Sequence, residues 1–245
     1  VASFTKVARR AVKRVTLAWR QKTVDRAPPW ARRMFGPALL NVDMLLVDHG
    51  IFRVVYPNRH KLGAQAWRAA QPTPGQLKRW AKQGLKTVVN LRGERLCGSY
   101  YLERSACREA GLSLVNYQMR SRAAPSRAEV LGARDVLNSI AYPALIHCKS
   151  GADRAGLMSV LYRHVREGWP IEKALGELSL KYGHIRQANT GVLDHFFEVY
   201  IAANRRRPID FFEWVETEYD PDEVRRSFQS RGWANRLVDG VLRRE

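Results

Sequence analysis

The stretch Ala144-Leu145-Ile146-His147-Cys148-Lys149-Ser150-Gly151-Ala152-Asp153-Arg154-Ala155-Gly156 constrains this chain more than any other. After the breaker Pro143 a short apolar run reads as a buried strand. The chain then turns through Ser150 and Gly151 into an apolar-periodic segment, Leu157 to Val165, that reads as a helix. A loop between a strand end and a helix start aims several backbone N–H groups at one point. The positive end of the helix dipole lies behind that point, so the loop is a candidate anion site. Cys148 opens the loop and Arg154 closes it, with five residues between them.

That spacing suits one kind of chemistry. An ordinary thiol is mostly protonated at neutral pH, whereas the thiolate is the nucleophile. Loop amides, a helix N-terminus and a guanidinium favour the ionised form. The same donors can hold the non-bridging oxygens of a phosphoryl group, and a guanidinium can chelate two of them. Gly151 suits a turn with positive φ or a close backbone approach, and Gly156 lets the helix pack close to the sheet.

Elsewhere, short apolar or β-branched runs alternate with helical patterns. Strands are expected at Phe52–Tyr56, Ala66–Ala69, Thr87–Leu91, Leu112–Tyr117 and Ala144–His147. Helices are expected after Thr73-Pro74, over Tyr100–Ala110, from Ser126 to Ile140 with Glu129 at capping-box spacing, through to Glu167, over Ile171–Lys181 and over Thr190–Ala203. This alternation predicts an α/β fold: a central, mostly parallel sheet of four or five strands flanked by helices, with extra N- and C-terminal helices. The strand into Cys148 then delivers its loop to the carboxyl edge, where ligands of such sheets bind. The organisation expected is a basic helical arm over 1–35, one domain over 36–205 and a helical extension over 206–245, containing Phe211, Phe212 and Trp214.

The 245 residues hold 42 Lys and Arg against 23 Asp and Glu, a formal net charge of +19. Such an excess favours polyanionic partners: nucleic acid, an anionic membrane surface or multiply phosphorylated substrates. No aromatic-basic pattern of the kind that reads bases is present, so nucleic acid is not expected. Three cysteines, an odd and sparse set, argue for a reducing, cytoplasmic compartment rather than a disulfide scaffold. No apolar run is long enough for a transmembrane helix, no secretory h-region is visible, and no metal-ligand cluster or cofactor motif appears. Over residues 1–23 an apolar stripe opposes Lys6, Arg9, Arg10, Lys13, Arg14 and Arg20. Two readings fit equally: a helix docked on its own domain, or one lying peripherally on anionic lipid. The high share of Arg hints at a GC-rich bacterial source.

His147-Cys148-(five residues)-Arg154, with Gly151 inside, resembles the signature of the cysteine-dependent protein tyrosine and dual-specificity phosphatases. Trp67-Arg68-Ala69-Ala70-Gln71-Pro72 and Gly84 to Arg92 are similar to compact members of the dual-specificity branch, bacterial ones included. The resemblance runs from about Phe52 to Asn204. It implies a phosphoric monoester hydrolase in which Cys148 is the nucleophile, Arg154 binds the phosphoryl oxygens, and Lys149, Ser150, Gly151 and Ala152 supply the cradle. His147 orients the loop or is a satisfied core histidine.

Two departures from that family matter. Related phosphatases often carry an acidic residue on the loop after the preceding strand, yet Asn116 to Pro125 contains none. Asp153, whose place resembles the Asp before the signature Arg of myotubularin-like phosphatases, is the leading substitute acid; capping the helix is the competing reading. Ala155 stands where many relatives have Ser or Thr, so the hydroxyl that eases thiolate departure is missing and slow turnover is expected. Lys149, with Arg92, Arg120 and Arg122 on neighbouring loops, makes a basic surround. The expected substrate is therefore a phosphorylated lipid, inositol phosphate or phosphoprotein, with polyanions such as phosphoinositides or lipid A favoured. The alternative is a catalytically weak phosphate- or anionic-lipid-binding module.

Overall fold

In the computed structural model, which describes residues 57–229 apart from residue 96, the chain builds one five-stranded sheet. Strands β1 (His60–Leu62), β2 (Ala66–Ala70), β3 (Thr87–Asn90), β4 (Ser113–Asn116) and β5 (Ala144–Cys148) lie in the order β1-β2-β5-β3-β4. All neighbours pair in parallel except β1 with β2. The mostly parallel α/β sheet inferred from the sequence is thus present, with β5 at its centre. The expected strand over 52–56 and the basic segment over 1–23 lie outside the described residues. The edge hairpin strand β1 was not anticipated: three residues are too few to show alternation.

Each strand–helix unit follows from its local chemistry. Thr73 and Ser126 cap α1 (Pro74–Lys82) and α3 (Arg127–Ser139) through full capping boxes with Gln76 and Glu129. Between them, α2 (Gly98–Glu109) links β3 to β4. Residue alternation on the strands feeds two hydrophobic layers. Val88 and Leu145 pack with Leu77, Trp80 and Ala106 of α1 and α2. Val89, Ile146 and Cys148 pack on the other face with α3, with α4 (Asp153–Glu167) and with α6 (Val192–Arg206).

The helix expected over 171–181 is shorter than its pattern suggests. Regular α-helix, α5, covers only Ile171–Ala174, followed by single 3₁₀ turns at Leu175–Glu177 and Leu180–Tyr182. The Glu177 carbonyl accepts a 2.6 Å hydrogen bond from Arg68, and the next residue, Leu178, leaves helical geometry with ψ 84.

Beyond Arg206 the described part of the C-terminal extension joins the same core. α7 (Phe211–Thr217) is capped by Asp210 and buries Phe211, Trp214 and Val215 against α6. Phe211 meets Phe196, Phe197, Tyr200 and Trp214 at ring separations of 5.9, 5.9, 5.0 and 6.4 Å. Among the described residues no helix is long and apolar enough to cross a membrane. Phe211→Ala should cost about 3–5 kcal/mol, the range for truncating a buried aromatic ring, read from the urea-unfolding midpoint of the full chain. A loss below about 1 kcal/mol would mean that α7 is not part of the cooperative core.

Candidate active site

β5 ends at Cys148, registered between Ala70 of β2 on one side and the end of β3 on the other, where Asn90 pairs with His147. The period of two sends Cys148 toward α4 and His147 toward α2. Cys148 is 2% exposed and lies at the floor of the loop 149–152, which then enters α4 at Asp153. Arg154 sits in the first turn of α4, and its Nη1 reaches 3.4 Å from the Leu91 carbonyl at the end of β3. Its guanidinium therefore folds back over the strand ends beside the cysteine.

What shapes the loop is where its carbonyls go. The Lys149 carbonyl faces the Gln71 N–H at 3.5 Å, and the Ser150 carbonyl accepts 2.8 Å from Asn58 Nδ2. The carbonyls of Gly151 and Ala152 both accept from Arg68 Nη2, at 2.9 Å each. Every carbonyl from 149 to 152 is thus tied outward. Among the described residues no acceptor pairs with the N–H groups of Ser150, Gly151, Asp153 or Arg154. These donors, with the dipole of α4 behind them, form an anion cradle next to the sulfur. Gly151 has φ +76, and a Cβ there would lie 2.7 Å from the backbone of Ala69 and Ala70. Glycine is needed for both reasons, and the close neighbour is β2 rather than a ligand.

In the sequence Arg68 stands within the family-like strand 66–70, where no spacing marks its structural weight. Its guanidinium is fully buried and holds Glu177 as well, through the carbonyl at 2.6 Å and Oε2 at 3.1 Å. It stacks 4.0 Å over the Tyr182 ring. Burial pulls its pKa down, while Glu177, Tyr182 and Cys148 push the other way. Gly156 leaves room for this pair: a Cβ would stand 3.3 Å from Arg68 Nη2 and from the Glu177 carbonyl.

His147 is fully buried, with Nε2 2.5 Å from Glu103 Oε1, a close contact rather than an aligned hydrogen bond. Glu103 Oε2 accepts 3.0 Å from Gln71 Nε2, and Gln71 Oε1 in turn accepts from Arg92 Nη1. A buried polar chain therefore links the residue before Cys148 to Arg92. Its members are spread over β5, α2 and the loops after β2 and β3, so no sequence spacing advertises it.

The other basic residues are placed differently. Arg92 is 4% exposed, and Lys149 is partly buried in the loop itself. Arg120 follows Met119, whose N–H reaches the Leu91 carbonyl, but its guanidinium is taken by Glu129 at 2.7 and 3.2 Å. There it adds a charge to the carboxylate of the α3 capping box. Arg122 is exposed on the same segment. Asp153 does not cap α4: the N-cap is Ala152, without a side-chain bond. Its carboxylate accepts from His184 Nδ1 at 2.8 Å. Ala155 is fully buried, and the hydroxyl one turn on, Ser159, is spent on the Ala155 carbonyl at 2.6 Å.

Arg68→Met should cost about 3–5 kcal/mol, because it leaves the buried carbonyls of Gly151 and Glu177 without their donor and takes one of two cations from the Glu177 carboxylate, which keeps Arg163 at 2.9 Å; urea unfolding measures it. Stability should also depend on His184. Burial disfavours its cation, but hydrogen bonds and charge from Asp153 and Asp194 raise its pKa from 6.5 to about 9. A raised folded-state pKa adds stability that is complete below the unfolded value of 6.5 and is lost as pH rises through about 9. The urea midpoint should fall across that window in the wild type, and this component should vanish in His184→Gln.

Residues 52–191, more than half of the chain, match the family described as DSP-PTPase phosphatase fused to NAD+ kinase. No curated protein matches. Among solved structures, Pseudomonas aeruginosa TpbA is 21% identical with a TM-score of 0.47, over 69% of this chain and 89% of that one. A second TpbA structure, in complex with pTyr, is 22% identical with a TM-score of 0.46, over 59% of this chain and 91% of that one. PTPMT1 is 17% identical with a TM-score of 0.45, over 61% of this chain and 99% of that one. With a family match across the whole sheet and signature loop, the chain belongs to the dual-specificity-type, cysteine-dependent phosphatases and is a phosphoric monoester hydrolase.

Proposed function

We propose that this phosphatase works through a cysteinyl-phosphate on Cys148 and favours polyanionic substrates. The observation that carries the reading is the outward tethering of the carbonyls of residues 149–152, with the N–H groups of Ser150, Gly151, Asp153 and Arg154 meeting no acceptor among the described residues. A preorganised set of donors beside a nucleophile stabilises the charge that develops on phosphoryl oxygens in the transition state. The Cys148 sulfur attacks phosphorus while the P–O bond to the alcohol breaks, and the departing oxygen takes a proton from solvent. Water then attacks phosphorus, the S–P bond breaks, inorganic phosphate leaves and the thiolate is restored.

The substrate class rests on charge. The net charge of +19, Lys149 in the loop and exposed Arg122 nearby support a substrate with more than one anionic group, such as a phosphoinositide, an inositol polyphosphate or lipid A. The basic stripe of residues 1–23 supports a cytoplasmic protein held peripherally at an anionic membrane. Buried Ala155 and the acid-free segment 117–125 favour, as a second reading, a weak catalyst whose main task is to bind phosphate.

Cys148→Ser should reduce turnover of p-nitrophenyl phosphate at least about 10³-fold while inorganic phosphate still binds; retained turnover would remove the nucleophile. A burst of product at stoichiometric enzyme separates the enzyme from the binding module, which gives none. On a panel of phosphopeptides, phosphoinositides and phosphorylated glycolipids, kcat/KM should be at least about tenfold higher for the polyanions. Equal values would leave only the phosphatase.

A further inference from the structure

His184 lies outside the signature loop, yet it reaches the loop's far edge. The 3₁₀ turn Leu180–Tyr182 ends at Gly183, with φ +78, and the His184 N–H donates 3.1 Å to the Ser179 carbonyl. This places the ring between the first turn of α4 and the first turn of α6. Nδ1 stands 2.8 Å from Asp153 Oδ1, and Nε2 stands 2.6 Å from Asp194 Oδ2. A neutral imidazole has one N–H and would turn a lone pair toward one of the two carboxylates. Only the imidazolium donates to both. The His184 side chain is 1% exposed and that of Asp194 6%, so that pair meets away from water, while Asp153, 24% exposed, stands at the solvent edge of the ring.

Asp153 is the first residue of α4, and its N–H is one of the cradle donors. A bare carboxylate there would repel both a phosphoryl dianion and the Cys148 thiolate. We propose that His184 is a positioning residue: a buried cation that neutralises Asp153 and fixes it at the rim of the phosphate loop, so that this carboxylate serves as half of an ion pair and not as the general acid. The proposal rests on the phosphatase reading and deepens it. Asp153, held in this pair, then gives no proton to the departing alcohol, so the rate depends steeply on leaving-group acidity and alkyl phosphates are slow substrates. The groups facing the ring are Asp153 from α4 and Asp194 from α6. Glu172 and Arg186 line the adjoining cavity of about 460 Å³, and Arg186 is paired with Glu198. The elevated pKa of about 9 agrees with the geometry.

Three measurements on the full chain test this. In ¹⁵N-histidine-labelled protein, both His184 ring nitrogens should be protonated at about pH 7 and titrate near pH 9, with the midpoint falling by about one unit in Asp153→Asn. A neutral ring at that pH overturns the proposal. Binding of inorganic phosphate should weaken about tenfold in His184→Gln and return to within about threefold of wild type in His184→Gln/Asp153→Asn. A double variant as weak as the single would reduce His184 to a structural role and overturn it too. The ratio of kcat for p-nitrophenyl phosphate to kcat for phenyl phosphate should stay within about threefold of wild type in Asp153→Asn; a rise of about a hundredfold would restore Asp153 as the acid. If the wild type binds no phosphate while His184 remains charged, the phosphatase reading falls and the ion pair stands.

Discussion

The site depends on one buried guanidinium. Arg68 offers a single nitrogen to the carbonyls of Gly151 and Ala152 and another to Glu177. A charged donor holds two peptide groups in the orientation in which their oxygens point into the protein, and the loop's N–H groups are left facing the other way. Such an ion costs several kcal/mol to desolvate and persists because both terminal nitrogens are filled, while among the described residues Nε meets no acceptor. Its neighbours answer to it: Gly156 makes room and Tyr182 covers its face.

Two faces of one strand divide the remaining work. Cys148 looks toward α4 and the cradle, whereas His147 looks toward α2 and a buried chain through Glu103 and Gln71 to Arg92. Positive charge is therefore brought to the strand ends from three directions: from Arg68 beneath the loop, from Arg154 across it, and from Arg92 beyond β3. Electrostatic preorganisation of this kind stabilises a transferring phosphoryl group without any rearrangement at the moment of reaction. The carboxylate nearest the loop, Asp153, is matched by its own buried cation.

Local chemistry was legible in the sequence, and long-range chemistry was not. The capping boxes at Thr73 and Ser126, the β-branched run of β3 and the strand–loop–helix around Cys148 are set by neighbours within four residues, and they stand where periodicity put them. Arg68 meets Glu177 across 109 positions and His184 meets Asp153 across 31, so neither partnership leaves a spacing to read. Arg120 pairs with Glu129, nine positions on, which also serves the cap of α3, and a count of charges does not reveal that partnership.

In the proposed mechanism main-chain donors, aligned by tethered carbonyls, hold the phosphoryl group. Amide NMR of the ¹⁵N-labelled full chain titrated with vanadate tests it most directly. The account predicts that the N–H resonances of Ser150, Gly151, Asp153 and Arg154 move downfield together and saturate at one equivalent of ligand. Shifts confined to surface lysines and arginines, with those four amides unmoved, would contradict it.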